Sequence, residues 1–485
     1  MIRFAEFLPD QPALENPGTT VAKNVIPAAR GYRSIKALSD YSDTADNRIR
    51  GFIAVKDANE VTSVYVGDET KLYRLSGSSS TALTDASKPG GYATATRNRW
   101  RFVEWGDQAI ATNYDDPIQV ETIGAGAFAD LTGSPPQARY IAVVRDQIFT
   151  GYTKESGTTY PYRVRWSGIG SETVWGSSAT SGSDFQDIND LGAVTGVVGG
   201  EYGVILLERG IMRAQFVGPP LFYQFDLVEA VRGCKYPGSV AAIGRNVFYC
   251  SDDGFYMFDG AGSKPVGAER VNKFFLNDLN ADYGYRITAS VDPLNQIIVV
   301  SYPTAASASG RPDRLLIYNY SLDRWSYADV DNDGVGSLMT AGYTLEELDN
   351  VSSSLDSLPA SLDSIAWKGG QFLFAGINDT RLALFSGSAL AATVETAEFQ
   401  AYPGRRAVLR KVIPYSEGST SVTAQVGTRA RQQDTAAFGS AASLNSEGYI
   451  PVRSEGRYHT VRVNLSGDWT QAQGIDVEAT QLGVR

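Results

Sequence analysis

Between about residue 50 and residue 395 the chain repeats one structural phrase seven times: an apolar strand, a tight polar turn, a second alternating strand and often a closing glycine. The sharpest copies are VYVGDETKLYRLSG ending at Gly77, VILLERGIMRAQFVG ending at Gly218, VFYCSDDGFYMFDG ending at Gly260 and FLFAGINDTRLALFSG ending at Gly387. Looser copies are WRFVEWGDQAIATN from Trp100, RYIAVVRDQIFTGY from Arg139, and QIIVVSY from Gln296 through LLIYNYSLDRW to Trp325. Period-two alternation around a turn rich in Asp, Gly, Lys or Arg marks a hairpin with one buried face. A lone hairpin buries too little to be stable, so the copies must pack on one another. Their spacing of roughly 40 to 60 residues is in or just above the range of propeller blades. The expected fold is therefore all-β, a β-propeller of six to eight blades with seven units counted.

The repeats occupy residues 49–395. Residues 1–48 are broken by Pro9, Pro12, Pro17, Gly18 and Pro27, which predicts an extended arm or irregular cap lying on another surface. One insertion, YTLEELDNVSSSLDSLPASLDS from Tyr343 to Ser364, interrupts the rhythm. Thr344 with Glu347 fits a capping box, and Pro359 would stop the turn it starts. Its Leu345, Leu348, Leu355, Leu358 and Leu362 exceed what a solvated loop needs, so they either tuck under the propeller or meet a partner subunit. From residue 396 the strands AVLRKVIPY, SVTAQVGTR, GRYHTVRVNL and IDVEATQLGVR lack the blade phrase and read as a separate, sandwich-like β-domain over 396–485.

Composition fits an all-β globular chain of 485 residues, with 43% apolar residues, 26 Tyr, 20 Phe and 49 Gly. Net charge is −11, which disfavours a nucleic-acid reader that grips phosphate. Residues 399 to 485 hold ten basic and seven acidic side chains, leaving −14 on the rest of the chain. The start MIRFAEFLPD carries acids where a secretory leader would be basic and then apolar, and no apolar run reaches about 18 residues. Cys234 and Cys250 cannot make a disulfide framework and are expected as buried thiols, consistent with synthesis in a reducing cytoplasm.

Reaction chemistry is thin. The single histidine, His459, lies in the strand YHTVRV; it excludes any zinc site that needs several imidazoles and reads as a strand-face residue, since no GxSxG elbow exists. No GxxxxGK[ST] loop occurs, and GAGAFA from Gly124 lacks the third glycine of a dinucleotide fingerprint. Asp329, Asp331 and Asp333 are spaced like the start of an EF-hand loop, but Thr340 stands where the bidentate Glu belongs, so a solvated turn is favoured over a bound cation. SDDGFYMF from Ser251 resembles the Asp box of sialidase-type propellers with its glycine one position early, and a tight hairpin turn accounts for it. No pair among the 54 acids is singled out as a glycosidase dyad. YNYSLDRW, Tyr318 to Trp325, is a kelch-like packing phrase in which an aromatic of one strand covers the next blade.

Three segments together resemble a known family: NVIPAARGYRSI from Asn24, SLDSLPASLDSIAWKGGQFLFAGI in the middle, and ALFSGSALAATVETAEFQ running into GRYHTVRVNLSGDWTQAQGIDVEATQLGVR. The overall plan is similar to the tail nozzle, or tail-hub and packaged-DNA-stabilisation, proteins of short-tailed double-stranded DNA bacteriophages. The resemblance spans nearly the whole chain and rests on plan rather than on a catalytic signature. It implies a structural virion protein with no enzymatic role and no cofactor, made in the host cytoplasm and placed in the phage tail. It also implies a homohexameric ring that closes the portal-adaptor channel. The implied partners are adaptor and portal proteins, tail fibres or spikes, and genomic DNA that passes without sequence-specific binding. Asn24, Pro27 and Tyr32 of the arm, and Leu345, Leu348, Leu355 and Leu358 of the insertion, are the interaction candidates. An acidic body suits such a channel because it repels phosphate. The rival readings are a glycan-binding or glycan-cleaving propeller of the virion and a cytoplasmic propeller scaffold unrelated to phage.

Overall fold

The computed structural model describes residues 1–75, 82–342 and 367–482. The leucine-rich insertion, with Leu345, Leu348, Leu355, Leu358 and Leu362, lies outside the described residues. Every hairpin phrase of the sequence falls in a different four-stranded meander, and the meanders form a β-propeller. Blade one comprises Gly51–Lys56, Thr62–Gly67, Leu72–Leu75 and Leu83–Asp85. Blade two is Arg101–Trp105, Gln108–Thr112, Gln119–Thr122 and Ala129–Asp130; blade three is Gln137–Val144, Gln147–Glu155, Thr158–Trp166 and Asp184–Asp187. Blade four is Val194–Val198, Gly203–Leu207, Ile211–Gly218 and Phe222–Glu229; blade five is Ala241–Ile243, Asn246–Ser251, Gly254–Phe258 and Ser263–Pro265. Thr288–Asp292, Ile297–Tyr302, Arg314–Asn319 and Arg324–Asp329 make a further meander, blade six, whose last strand is hydrogen-bonded onward into a larger sheet. Blade seven is Gly334–Met339, Phe372–Asn378 and Arg381–Leu384, with its fourth strand, Ser39–Asp40, supplied from the other end of the chain. Six blades are thus free-standing four-stranded sheets, and the remaining meander is fused to its neighbourhood.

The tight turns have a common chemistry. A side-chain oxygen of Asp or Asn accepts hydrogen bonds from the next backbone N–H groups, replacing the bonds a sharp reversal leaves unmade. Asp68 takes Thr70 and Lys71 at 2.6 and 2.7 Å, and Asp259 takes Ala261 and Gly262 at 3.1 Å each. Asp292 takes Leu294 and Asn295, and Asn319 takes Ser321 and Leu322. SDDG is a two-residue hairpin turn, with Ser251 paired to Gly254 across it.

Aromatic side chains carry the packing between blades. Trp325 of blade six is fully buried, stacks on Tyr318 at 4.6 Å, and reaches Phe255 of blade five at 5.4 Å. Its indole N–H donates to the Val266 carbonyl at 2.9 Å. The kelch-like phrase therefore does the covering expected of it. Trp100 joins blades one and two in the same way: its ring lies where a Cβ on Gly67 would sit at 2.3 Å, and its N–H donates to the Asp68 carbonyl.

Beyond blade six, Thr19–Lys23 lies between Arg324–Asp329 and Ala392–Thr396, and the latter pairs with Tyr458–Gln481. Tyr458–Gln481 and Ala407–Arg429 pair along their whole length as a curled ribbon, flanked by Ile450–Gly456 and two short strands. The C-terminal strands, expected from the sequence as a sandwich-like β-domain, form one curled sheet that is continuous with blade six. The N-terminal arm is woven into that sheet. Ile2–Arg3 pairs with the ribbon, and the hairpin Val25–Ala28 with Gly31–Ser34 lies on it through Arg33 and Tyr32. Gly31 is required there: its φ is +85°, and a Cβ would stand 2.0 Å from the Ala472 carbonyl oxygen.

Because Trp325 is sealed between two blades, Trp325→Ala should destabilise the chain by about 3–5 kcal/mol. Urea unfolding followed by tryptophan fluorescence and far-ultraviolet circular dichroism checks this. An unchanged midpoint would mean that the two blades do not depend on one another.

Candidate functional site

The arm candidates are used within this chain. Asn24 is buried in a left-handed conformation; its amide donates to the Ala391 carbonyl at 2.8 Å, and its side-chain oxygen accepts from the Asp329 N–H at 2.8 Å. Pro27 is buried opposite Tyr32 in the hairpin. Tyr32 is fully buried, and its hydroxyl donates to the Ala5 carbonyl at 2.6 Å beside Thr19. Asn24 thus ties the arm to blade six, Tyr32 binds segments of the arm to one another beside the ribbon, and all three residues are buried within the chain.

The three aspartates do not converge on a cation. Asp329 is held by Lys23 at 2.5 Å and Arg314 at 2.8 Å, Asp331 is exposed, and buried Asp333 accepts from Arg311 at 3.1 Å with Arg48 at 3.5 Å. Among the described residues no group of three potential ligands comes together. Cys234 and Cys250 are buried free thiols, and burial pushes both well above the ordinary thiol pKa.

The concave feature with the most unusual chemistry is the propeller's central channel. The first strand of each blade is innermost: Gly51–Lys56 packs against Arg101–Trp105 and Gly334–Met339, Arg101–Trp105 against Gln137–Val144, and Thr288–Asp292 against Gly334–Met339. Blades four and five close through Val204, Leu206 and Ile211 against Val247, Tyr249 and Phe258. Residues just ahead of innermost strands therefore gather at one mouth of the channel. The sequence places arginines there: Arg48 and Arg50 before blade one, Arg97, Arg99 and Arg101 at blade two, and Arg286 before blade six.

A cavity of about 340 Å³ opens at this level, with Arg50, Arg99, Arg101, Trp100, Phe102 and Thr288 in its wall. Arg50 is almost fully buried and pairs with Glu69 at 2.6 Å, yet its Nε has no hydrogen-bond partner among the described residues. Among the described residues the Arg99 side chain donates only to the Arg286 backbone carbonyl, at 2.9 Å. Arg101 lies over the Tyr140 ring at 4.8 Å and makes no side-chain hydrogen bond among the described residues. Arg286 donates to the Ser309 carbonyl at 3.2 Å and leaves a buried Nε unpartnered. Burial, and then the charges of Arg48, Arg101 and Arg286, push the Arg99 guanidinium down to about 9. Burial also lowers Arg101 and Arg286. This mouth is basic in a chain whose net charge is −11. Sequence reasoning on net charge missed it, although the Arg-x-Arg pairs RIR and RNRWR, set just before apolar strands, were the available signal.

Comparison with known proteins adds little beyond this. No family model matches the chain, and no curated protein matches it. Among solved structures, the Neurospora crassa Pan2 WD40 domain aligns with a TM-score of 0.36 at 7% identity, covering 60% of this chain and 82% of that one. YCF48 bound to D1 peptide aligns with a TM-score of 0.37 at 10% identity, covering 72% of this chain and 97% of that one.

His459 completes the sequence candidates. It is 0% exposed in the ribbon, opposite Thr428, with its ring 6.0 Å from Phe399. Burial pushes its pKa down to about 4, the Gly456 backbone opposing this only in part. The unfolded chain therefore binds the proton more readily between about pH 6.5 and 4, so the contribution of neutral His459 is complete above about 6.5 and is lost as pH falls towards 4. By linkage the loss is about 3 kcal/mol. Urea midpoints at pH 7 and pH 4.5 should differ less in His459→Leu than in the wild type, and equal differences would place the imidazole in water.

Proposed function

We propose that this chain is a structural subunit of a bacteriophage tail hub or nozzle, which assembles as a homohexameric ring at the portal-adaptor channel, retains packaged DNA and lets it pass at ejection. The observation that carries the reading is mechanical. A propeller is joined through the strands Thr19–Lys23 and Ala392–Thr396 to a curled ribbon whose strands are 23 and 24 residues long, and the N-terminal arm is part of the same sheet. Two bodies fused through a sheet cannot hinge freely, which suits a ring that must bear the pressure of a packed genome. The sequence resemblance supplies the assembly itself.

Subunit contact needs apolar surface outside the locked arm, and blade four offers it. Val217, Leu221, Leu227 and Val231 are exposed at 48%, 72%, 50% and 81%, more than single surface residues usually contribute together. Leu227 lies in the outermost strand Phe222–Glu229, Leu221 and Val231 lie at its two ends and Val217 in the strand before it; the outermost strand pairs on one side only among the described residues. Heterologous contact between such an edge and a different surface of the next copy closes into a ring when the rotation allows it. The difference in charge between the acidic propeller and the +3 C-terminal strands would favour register over affinity.

The test is assembly. Mass photometry of the purified chain should give a monomer, and image reconstruction of tails should place it in a six-fold ring. Leu221→Asp with Val231→Asp should leave the monomer's circular dichroism unchanged and abolish incorporation into the ring. Single copies or trimeric spikes at the tail would overturn the reading.

A further inference from the structure

We propose that the basic mouth of the propeller channel is a binding site for a compact multivalent oxyanion of the phosphate class. The inference stands on the channel alone and is independent of the virion reading. Arg99 and Arg101 belong to the wall of one cavity, Arg286 is joined to Arg99 through its backbone carbonyl, and Arg50 lines the same space. The carboxylates nearby are already committed: Glu69 to Arg50, and Asp333 to Arg48 and Arg311. Arg99, Arg101 and Arg286 have no carboxylate partner among the described residues, although the chain carries 54 acids elsewhere.

Guanidinium groups gathered in a half-buried void repel one another, and the repulsion is stronger there than in water. The lowered pKa of Arg99, with burial first and its arginine neighbours next, reports that strain. Folded chains leave like charges together where something of opposite sign joins them. Guanidinium donors match the tetrahedral oxygens of phosphate, which can accept from several at once. Gly51, Gly334 and Gly336 also line the wall, where Gly51 and Gly336 admit the close approach of the Trp100 carbonyl and the Phe52 ring. A cavity of about 340 Å³ has room for a phosphate or pyrophosphate with water.

The experiment uses the full chain exchanged into phosphate-free buffer. Isothermal titration with inorganic phosphate and pyrophosphate should show saturable binding at one site, and both should raise the thermal midpoint beyond sodium chloride at matched ionic strength. Arg99→Gln with Arg101→Gln should weaken binding by about tenfold or more, because two charge-assisted donors are lost. Arg245→Gln, which removes an exposed ion pair with Glu201, should bind as the wild type does. In anion-free buffer the double variant should melt at or above the wild-type midpoint, since it relieves repulsion. Absence of saturable binding by the wild type, equal binding by the double variant, or a lowered anion-free midpoint would each overturn the proposal. Should the double variant fail to fold, the wild-type comparison of phosphate with chloride decides alone.

Discussion

The closure of the ring is the constraint on which the rest depends. A twisted four-stranded meander must cover both faces, so the first and last blades are stable only when each finds the other. The chain meets this by sending Ser39–Asp40 back to finish the blade that ends at Arg381–Leu384. Ser42 strengthens the join, its hydroxyl accepting from the Leu382 N–H at 2.9 Å. Contacts of such long sequence separation form late and cost loop entropy, so they exist only if the packed ring repays them. This is why the arm cannot be a loose appendage. The segment that closes the propeller also runs through Thr19–Lys23 into the large sheet, and the two bodies share one strand path.

Ring closure also sets the chemistry of the mouth. All innermost strands run the same way along the axis, so whatever precedes them is brought to one end regardless of its distance in sequence. Arg48 and Arg286 are more than two hundred residues apart and both act on Arg99. A net charge of −11 says how the whole molecule repels or attracts at a distance. It does not give the sign of a small concave site, where a few groups in low dielectric outweigh a distant excess. The acidic body and the basic mouth of the propeller channel are separate facts, and the charge of the whole chain does not fix that of the mouth.

The blade phrase was legible because hairpin alternation and turn chemistry are local. All seven phrases fell in different blades, but not at one phase: VFYCSDDGFYMFDG spans the second and third strands of its blade, whereas RYIAVVRDQIFTGY spans the first and second. In blade three the third strand, TTYPYRVRW, begins polar and carries a proline, which hid it. The curled ribbon was illegible for a related reason. SEGST separates the expected strands AVLRKVIPY and SVTAQVGTR in the sequence, but Ala407–Arg429 runs through it, absorbing the irregularity as register shifts at Tyr415 and Glu417 with Gly418 at φ +99°. A bulge and a turn use the same residues. Only the partner strand distinguishes them, and that strand starts some fifty residues later. Asn24 and Tyr32 were likewise visible as unusual, while their engagement inside the chain depended on Ala391 and Ala5, which no local pattern connects to them.

Fusing the propeller to the ribbon has a mechanical consequence for any assembly the chain enters. Between Arg324–Asp329 and Tyr458–Gln481 lie Thr19–Lys23 and Ala392–Thr396, so the joint is two strands wide; Thr19–Lys23 meets blade six at one paired position, Lys23 with Tyr327, and pairs with Ala392–Thr396 at four. Lys23 bridges it by pairing with Asp329, and Arg462 pairs with Glu395 at 2.8 Å one step further on. A load on the ribbon therefore reaches blade six through the Lys23–Tyr327 position, the Lys23–Asp329 ion pair and the hydrogen bonds of Asn24 with Tyr327 and Asp329. Blade six hands that load to blade five through Trp325 and to blade seven through the packing of Thr288–Asp292 on Gly334–Met339. The arm crosses the same joint and is held there by Asn24. Asn24, Pro27 and Tyr32, the arm residues expected from the sequence to contact a partner, are buried within this chain, and Asn24 is one of the points where it resists being pulled apart.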